Sequence, residues 1–153
     1  MQIRRHLGRL IGNSQGSSLA ELALLTPFLM FLLLGIFDFG RAYYLAMEVA
    51  GAAQAGAEYG ITNPTDVTGI EAAARADAPD VPNLTVATPV FGCECSDGSS
   101  SSTNCSVVPV CTANVVNTVK VNVSTNYSMW FHLPGLPLSL NISKSAVMRS
   151  GGS

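Results

Sequence analysis

The stretch that decides the fold is the segment from Gly16 to Tyr44, which reads GSSLAELALLTPFLMFLLLGIFDFGRAYY. All but three residues from Leu22 to Phe37 are apolar. A helix that spans a bilayer needs roughly 20 mostly apolar residues. Residues 19–45, whose charges lie near the two ends, therefore predict a single membrane-crossing helix.

Charge is distributed unevenly around this helix. Three arginines lie in a basic leader, residues 1–16, and no acidic residue precedes Glu21, although the net charge is −2. Because cytoplasmic flanks of membrane helices are enriched in Lys and Arg, we expect a single-pass protein with its N-terminus in the cytoplasm and its C-terminal part outside. Without residues 1–16 the chain contains five basic and ten acidic residues, so the body of the protein is acidic. It lacks the basic patch that binds phosphates, so no nucleic-acid partner is predicted.

Beyond the membrane segment, residues 17–45, the chain is predicted to form a small extracytoplasmic α+β domain. Helical periodicity continues into residues 46–80 as a stripe of small side chains, until Asn63-Pro64 ends the helix. We interpret this stripe as the domain's own core in preference to a subunit interface. A second, short helix is predicted to begin at a capping box formed by Thr68 and Glu71.

Residues 81–153 are rich in Val, Thr, Ser and Asn, which is typical of strands. Alternation of apolar and polar residues predicts an antiparallel sheet of about three strands. The strands are predicted at Leu84–Phe91, Val115–Tyr127 and Leu138–Met148. The connection Ser128–Pro137 contains Trp130 and is apolar for a loop. It is either a cap over the core or an exposed contact surface, and both interpretations stay open.

Four cysteines, Cys93, Cys95, Cys105 and Cys111, lie between the first two predicted strands. An even number in an extracytoplasmic region predicts disulfides. Three pairings are available. We favour the nested one, Cys93–Cys111 with Cys95–Cys105, over the crossed alternative. A zinc site is the competing interpretation, but the C-x-C and C-x5-C spacings are not those of usual zinc ligands. No metal and no cofactor is predicted.

Glu21, at the front of the apolar run, has two interpretations. With Ser18 it can form a capping box, in which the hydroxyl and the carboxylate bind free N–H groups at a helix start. If the bond between Gly16 and Ser17 were cut, Glu21 would instead be the fifth residue of a hydrophobic helix. That arrangement resembles the type IV prepilin processing site. In that family the carboxylate is thought to meet the new N-terminal amine of a neighbouring subunit.

The apolar segment as a whole resembles the TadE-like family of minor pseudopilins, which belong to the tight-adherence (Flp) subclass of type IV pilus systems. The shared features are a small residue followed by Glu21, then Pro27, and an ending that contains Asp38, an aromatic-Gly pair and Arg41. The resemblance implies a pilin-like protein of the bacterial inner membrane, whose outer domain is periplasmic or extracellular. It implies other pilins, tight-adherence assembly proteins and a prepilin peptidase as partners, besides the lipid bilayer. Incorporation into the pilus itself stays open.

No catalytic motif accompanies these features. The chain has two histidines, and it contains no Gly-rich phosphate loop, nucleophile elbow or H-x-x-x-H motif. We therefore predict that the protein acts through interactions and is not an enzyme.

The alternative function is that of a disulfide-bonded binding domain unrelated to pili, either secreted or tethered to the membrane. The sequence Gly40-Arg41-Ala42 has small residues at the two positions that a signal peptidase reads, so a mature chain would begin at Tyr43. The apolar run is longer than an ordinary signal core, and the helical pattern continues through this point.

Overall fold

The computed structural model describes residues 14–106, 111–112, 114–131 and 138–150. They form two helices and one sheet, which confirms the α+β class. The elements are α1 (Ser14–Thr62), α2 (Val67–Asp77), β1 (Thr85–Val86), β2 (Val90–Cys95), β3 (Ser101–Ser102), β4 (Val115–Ser128) and β5 (Ser139–Arg149). The chain divides into two compact units, one up to Gly40 and one from Arg41 onward. Helix α1 ends at Thr62, directly before the predicted Asn63-Pro64 stop.

Strand β4 is the centre of an antiparallel sheet. β5 pairs with it along one edge over the whole length of β5, and β1 and β2 share the other edge. The short strand β3 pairs with β2. The register places Phe91 and Met148 beside Val119, so one face of the sheet is apolar while the opposite face is largely Ser, Thr and Asn.

The first predicted strand, Leu84–Phe91, is wrong in its extent. It is two strands, β1 and β2, which pair with different parts of β4. Pro89 lies between them and has no N–H to donate to a sheet ladder. β2 then runs past the predicted end at Phe91 and carries both Cys93 and Cys95. With β3 added, the sheet described here has five strands and not about three.

The core lies between the apolar face of the sheet and the two helices. Its fully buried residues include Val49, Ala53 and Ala57 of α1, Ile70 and Ala74 of α2, and Val121 and Val123 of β4. The small-residue stripe is therefore the domain's own core, as predicted. Gly56 shows why small residues are needed, because a Cβ there would lie 3.2 Å from the Ala74 Cβ and 3.3 Å from the Val121 Cγ1.

Helix α2 is capped by Asp66, so the capping box predicted at Thr68 and Glu71 is wrong. The Asp66 carboxylate accepts hydrogen bonds from the Gly69 N–H (2.9 Å), the Thr68 hydroxyl (2.8 Å) and the Tyr59 hydroxyl (2.9 Å). These bonds, the one from the Gly69 N–H above all, hold the pKa of Asp66 below its usual value. Glu71 instead forms an ion pair with Arg75 one turn along the helix, at 2.7 Å.

A disulfide joins Cys95 to Cys111, whose Cα atoms are 5.5 Å apart. The favoured nested pairing, which joined Cys95 to Cys105, is wrong, and the bond is one of those in the crossed alternative. β2 and β3 explain the difference, because they fold the segment after Cys95 back beside β2 and bring Cys105 towards Cys93. Since Cys95 and Cys111 are bonded to each other, they are not available as zinc ligands.

Candidate functional site

The N-terminal unit exposes an apolar surface along α1. Every large apolar side chain from residue 18 to residue 39 is exposed, up to 80% for Leu24 and 78% for Phe37. Soluble proteins seldom leave so large an apolar area uncovered. Within the described part of the chain, α1 is the one helix long and apolar enough to cross a membrane, by length and composition. Lipid or other protein must therefore cover this surface.

Glu21 is the one ionisable residue between residues 18 and 37 of this surface. Its side chain is exposed, and it has no ion-pair partner among the described residues. The helix begins at Ser14, so Ser18 lies inside it and does not cap it. The capping-box interpretation of Glu21 is therefore wrong. A carboxylate at the edge of hydrocarbon is costly unless it meets a partner, and such a partner must come from outside the described residues.

Gly16 and Ser17 lie in the first turn of α1. Cleavage of the bond between them stays a prediction. Of the predicted leader, residues 1–13 lie outside the described part of the chain.

Pro27 lies inside α1, where its ring nitrogen cannot donate a hydrogen bond to the carbonyl four residues earlier. One residue before it, the Thr26 hydroxyl donates a hydrogen bond to the Leu22 carbonyl at 2.7 Å. Proline in a membrane helix is tolerated where such side chains or neighbouring helices bind the freed backbone groups. The carbonyl of Ala23, which Pro27 leaves without its usual donor, is thus a polar point on an otherwise apolar surface.

Arg41 begins the second unit and contacts two aromatic rings. Its guanidinium carbon lies 4.3 Å from the centre of the Trp130 ring and 5.9 Å from that of Tyr127. Tyr127 is buried, whereas Trp130 is 68% exposed. A cation over an aromatic face at such distances is stabilised by about 0.5–1 kcal/mol at an exposed site. This contact joins the beginning of the predicted Ser128–Pro137 connection to α1.

The other half of that connection, residues 132–137, lies outside the described residues. At its start, Trp130 and Phe131 are both exposed. The described part of the connection therefore fits the interpretation as a contact surface better than the interpretation as a cap over the core.

The two remaining cysteines face each other next to the disulfide. Cys93 is buried on β2 and Cys105 is exposed beyond β3. The hydrogen bond between their sulfur atoms, together with burial, raises the pKa of the Cys93 thiol to about 11. Among the described residues, no group of three or more Asp, Glu, His or Cys side chains is placed to hold a metal ion.

The predicted site residues thus fall into three places. Glu21, Pro27 and Asp38 lie along α1 in the first unit, and the four cysteines converge at one end of the sheet. Arg41 meets Trp130 and Tyr127. No local pattern predicts the contact of Arg41 with the two rings, because the partners are almost ninety positions apart in the chain. The apolar character of the connection that contains Trp130 is the one related signal in the sequence.

Among the described residues, these features define a chain whose apolar N-terminal helix is long enough to cross a membrane and continues into a small α+β domain. The TadE-like protein family model matches residues 16–58. The match runs from the predicted Gly16 cleavage position through most of α1, and it confirms the resemblance over this helix. The strands of the sheet lie outside the matched residues. No curated protein and no solved structure matches the chain.

The family match suggests involvement in a tight-adherence pilus system and pilus-associated protein partners in general. The family is not an enzyme family. Together with the exposed apolar helix, the match supports membrane anchoring.

Proposed function

We propose that the protein is a minor pilin or pseudopilin that takes part in assembling a tight-adherence pilus through protein–protein contacts. The observation that carries the proposal is the position of the family match, which covers the apolar run of α1 together with Glu21. In this proposal α1 lies in the bacterial inner membrane with its N-terminus in the cytoplasm. The α+β domain lies outside, where other pilins and assembly proteins can reach it.

Glu21 has the central role in this proposal. An isolated carboxylate on an apolar helix is stabilised when it meets a positive charge of another chain. The new amine that cleavage after Gly16 would create on a neighbouring subunit is such a charge. Glu21 would then select properly placed neighbours, since a misplaced neighbour leaves the carboxylate unpaired in an apolar environment.

A complementation experiment tests the proposal. In cells that lack the protein, we expect few or no pili by electron microscopy, and the wild-type chain should restore them. Glu21→Gln, which keeps the shape and removes the charge, should reach the membrane in normal amounts and fail to restore pili. Normal piliation in cells without the protein would overturn the proposal.

Processing by a prepilin peptidase is tested separately by N-terminal sequencing of the protein from membranes. The proposal expects a mature chain that begins at Ser17. An intact Met1 in cells with an active peptidase would remove the processing step and leave the membrane anchor unaffected.

The same sequencing distinguishes the secreted alternative, in which a soluble chain begins at Tyr43. The fold speaks against that product. Ala42 packs against the domain core and Arg41 contacts Trp130, so a cut before Tyr43 would divide α1 and remove both residues from the domain.

A further inference from the structure

β5 has an outer edge with which no described strand pairs. It pairs with β4 along all 11 residues of Ser139–Arg149, and its other edge has no partner strand in the described part of the chain. The register continues without a bulge, and the strand contains no proline, so neither of these devices blocks a further ladder. The outer edge of β5 is therefore open to another strand over its full length.

The hydrogen bonds at the two ends of the β4–β5 pair show which backbone groups of β5 point outward. The Met129 N–H donates to the Leu138 carbonyl at 3.1 Å, and the Ser150 N–H donates to the Asn117 carbonyl at 2.8 Å. Hydrogen-bonded and non-hydrogen-bonded positions alternate along an antiparallel pair, so the even-numbered residues of β5 bind β4. The odd-numbered residues direct their N–H and carbonyl groups away from β4; they are Ser139, Asn141, Ser143, Ser145, Val147 and Arg149.

The side chains beside this edge are apolar on one side of the sheet, with a single cation among them. Lys144 lies opposite the buried Val123, so it shares the side of the sheet that packs against the helices, the helix-facing side. It is exposed and has no ion-pair partner among the described residues. Its neighbours on this side pack against the core and are partly buried, namely Ile142, Ala146 and Met148. A strand added at this edge would extend the core and would meet one positive charge.

Charge and symmetry indicate what kind of strand fits. After Asp97 the chain contains no acidic residue and three basic ones, of which Arg149 is paired with Glu94. Lys144 is the middle residue of β5. Two copies paired symmetrically along the whole strand would therefore place Lys144 opposite Lys144, and like charges directly opposite each other are destabilising. The edge disfavours a second copy of this chain and favours a strand that carries an acidic residue.

We propose that the outer edge of β5 binds an extended segment of another protein by strand addition, and that this segment alternates apolar with polar residues and carries an acidic residue opposite Lys144. The outward backbone groups supply affinity, and the side chains on the helix-facing side supply specificity. In an antiparallel addition Lys144 occupies a non-hydrogen-bonded position, where opposite side chains come closest. The proposal concerns the α+β domain alone and does not depend on a role of α1 in a pilus.

Amide hydrogen exchange by NMR tests the proposal on the full chain in detergent micelles. The probe is the peptide Val-Thr-Val-Thr-Asp-Thr-Val-Thr-Val, whose aspartate lies opposite Lys144 when its valines lie opposite the apolar residues of β5. In the free chain we expect fast exchange at Ser143 and Ser145 and slow exchange at Lys144 and Ala146, and the peptide should slow the first pair. Slow exchange at Ser143 and Ser145 without peptide would overturn the proposal, because the edge would already be covered. Protection that rises with protein concentration would identify a second copy as the cover.

Charge variants separate specific recognition from general adhesion of the peptide. Replacing its aspartate by lysine should weaken binding roughly tenfold, because a like-charge pair replaces an opposite-charge pair. Lys144→Glu should reverse this preference. Lys120→Glu is the matched control, since Lys120 is exposed on the central strand β4 and lies between the buried Val119 and Val121, on the other side of the sheet. It should leave the preference for aspartate unchanged. Equal affinity of the two peptides for the wild-type chain, or no added protection with either, would overturn the proposal.

Discussion

Gly60 provides the sharpest test of the packing between α1, α2 and the sheet. A Cβ at this position would lie 2.9 Å from the Val119 Cγ1 and 3.0 Å from the Ile70 Cδ1, closer than carbon atoms pack. Val119 and Ile70 are themselves buried, so neither has free space to move into. Overpacking of this kind costs about 1–3 kcal/mol. The higher helix propensity of alanine offsets about 0.5–1 kcal/mol.

Gly60→Ala should therefore lower the free energy of unfolding by about 1–2 kcal/mol, which corresponds to a fall in Tm of roughly 4–16 °C for a domain of about 100 residues. Thermal unfolding of the full chain in detergent micelles, followed by Trp130 fluorescence, measures this change in the domain. Gly40→Ala is the control on the same helix, because no described atom lies within 4 Å of a Cβ built there. An unchanged or raised Tm for Gly60→Ala would refute the close packing.

Three further outcomes are expected. Replacing both Cys95 and Cys111 by serine should lower the free energy of unfolding by about 3 kcal/mol, the value for a closed loop of about 15 residues, as measured in urea; an unchanged midpoint would contradict this. The hydrogen bonds that lower the pKa of Asp66 stabilise the fold above the unfolded-state pKa, and this contribution is lost as the pH falls through the lowered folded-state pKa. Asp66→Asn should therefore reduce the loss of unfolding free energy as the pH falls. Equal pH profiles of the unfolding free energy for the wild-type chain and the variant would count against the cap. Treatment with a disulfide oxidant should join Cys93 and Cys105 in a second disulfide bond, because the two thiols pass two electrons and two protons to the oxidant. Mass analysis of the alkylated protein would show two free thiols if this disulfide does not form.

The sequence predicts those parts of the fold that are determined by residues close together in the chain. The apolar run and the stripe of small side chains predict α1 correctly because both follow the period of the helix. The predicted bounds of β4 agree with the structure to within one residue, since three buried valines, Val119, Val121 and Val123, alternate with polar residues. In each case a local pattern reports directly on burial.

The errors come from pairings between distant residues. The split at Pro89 depends on two short strands that pair with different parts of β4. The disulfide depends on how β2 and β3 place Cys95 relative to Cys111, which spacing alone does not determine. At α2, Asp66 caps the helix in place of the predicted box of Thr68 and Glu71, because its carboxylate accepts three hydrogen bonds.

Only along α1 does the sequence single out candidate site residues, and their roles stay predictions. Glu21 and Pro27 are recognisable there because a charge and a proline are unusual in an apolar helix. The contact between Arg41 and Trp130 has no such local signal. It arises when the sheet brings the end of β4 beside the helix.

Photocrosslinking from α1 tests the central claim most directly, namely that this helix acts through contacts with other pilus proteins. A photoreactive residue at Leu25, one turn after Glu21 and 53% exposed, would sample what covers the apolar surface in living cells. We predict a discrete adduct with another membrane protein, which is lost when Glu21→Gln is added. Adducts with lipid alone, or a protein adduct that is unaffected by Glu21→Gln, would contradict the claim.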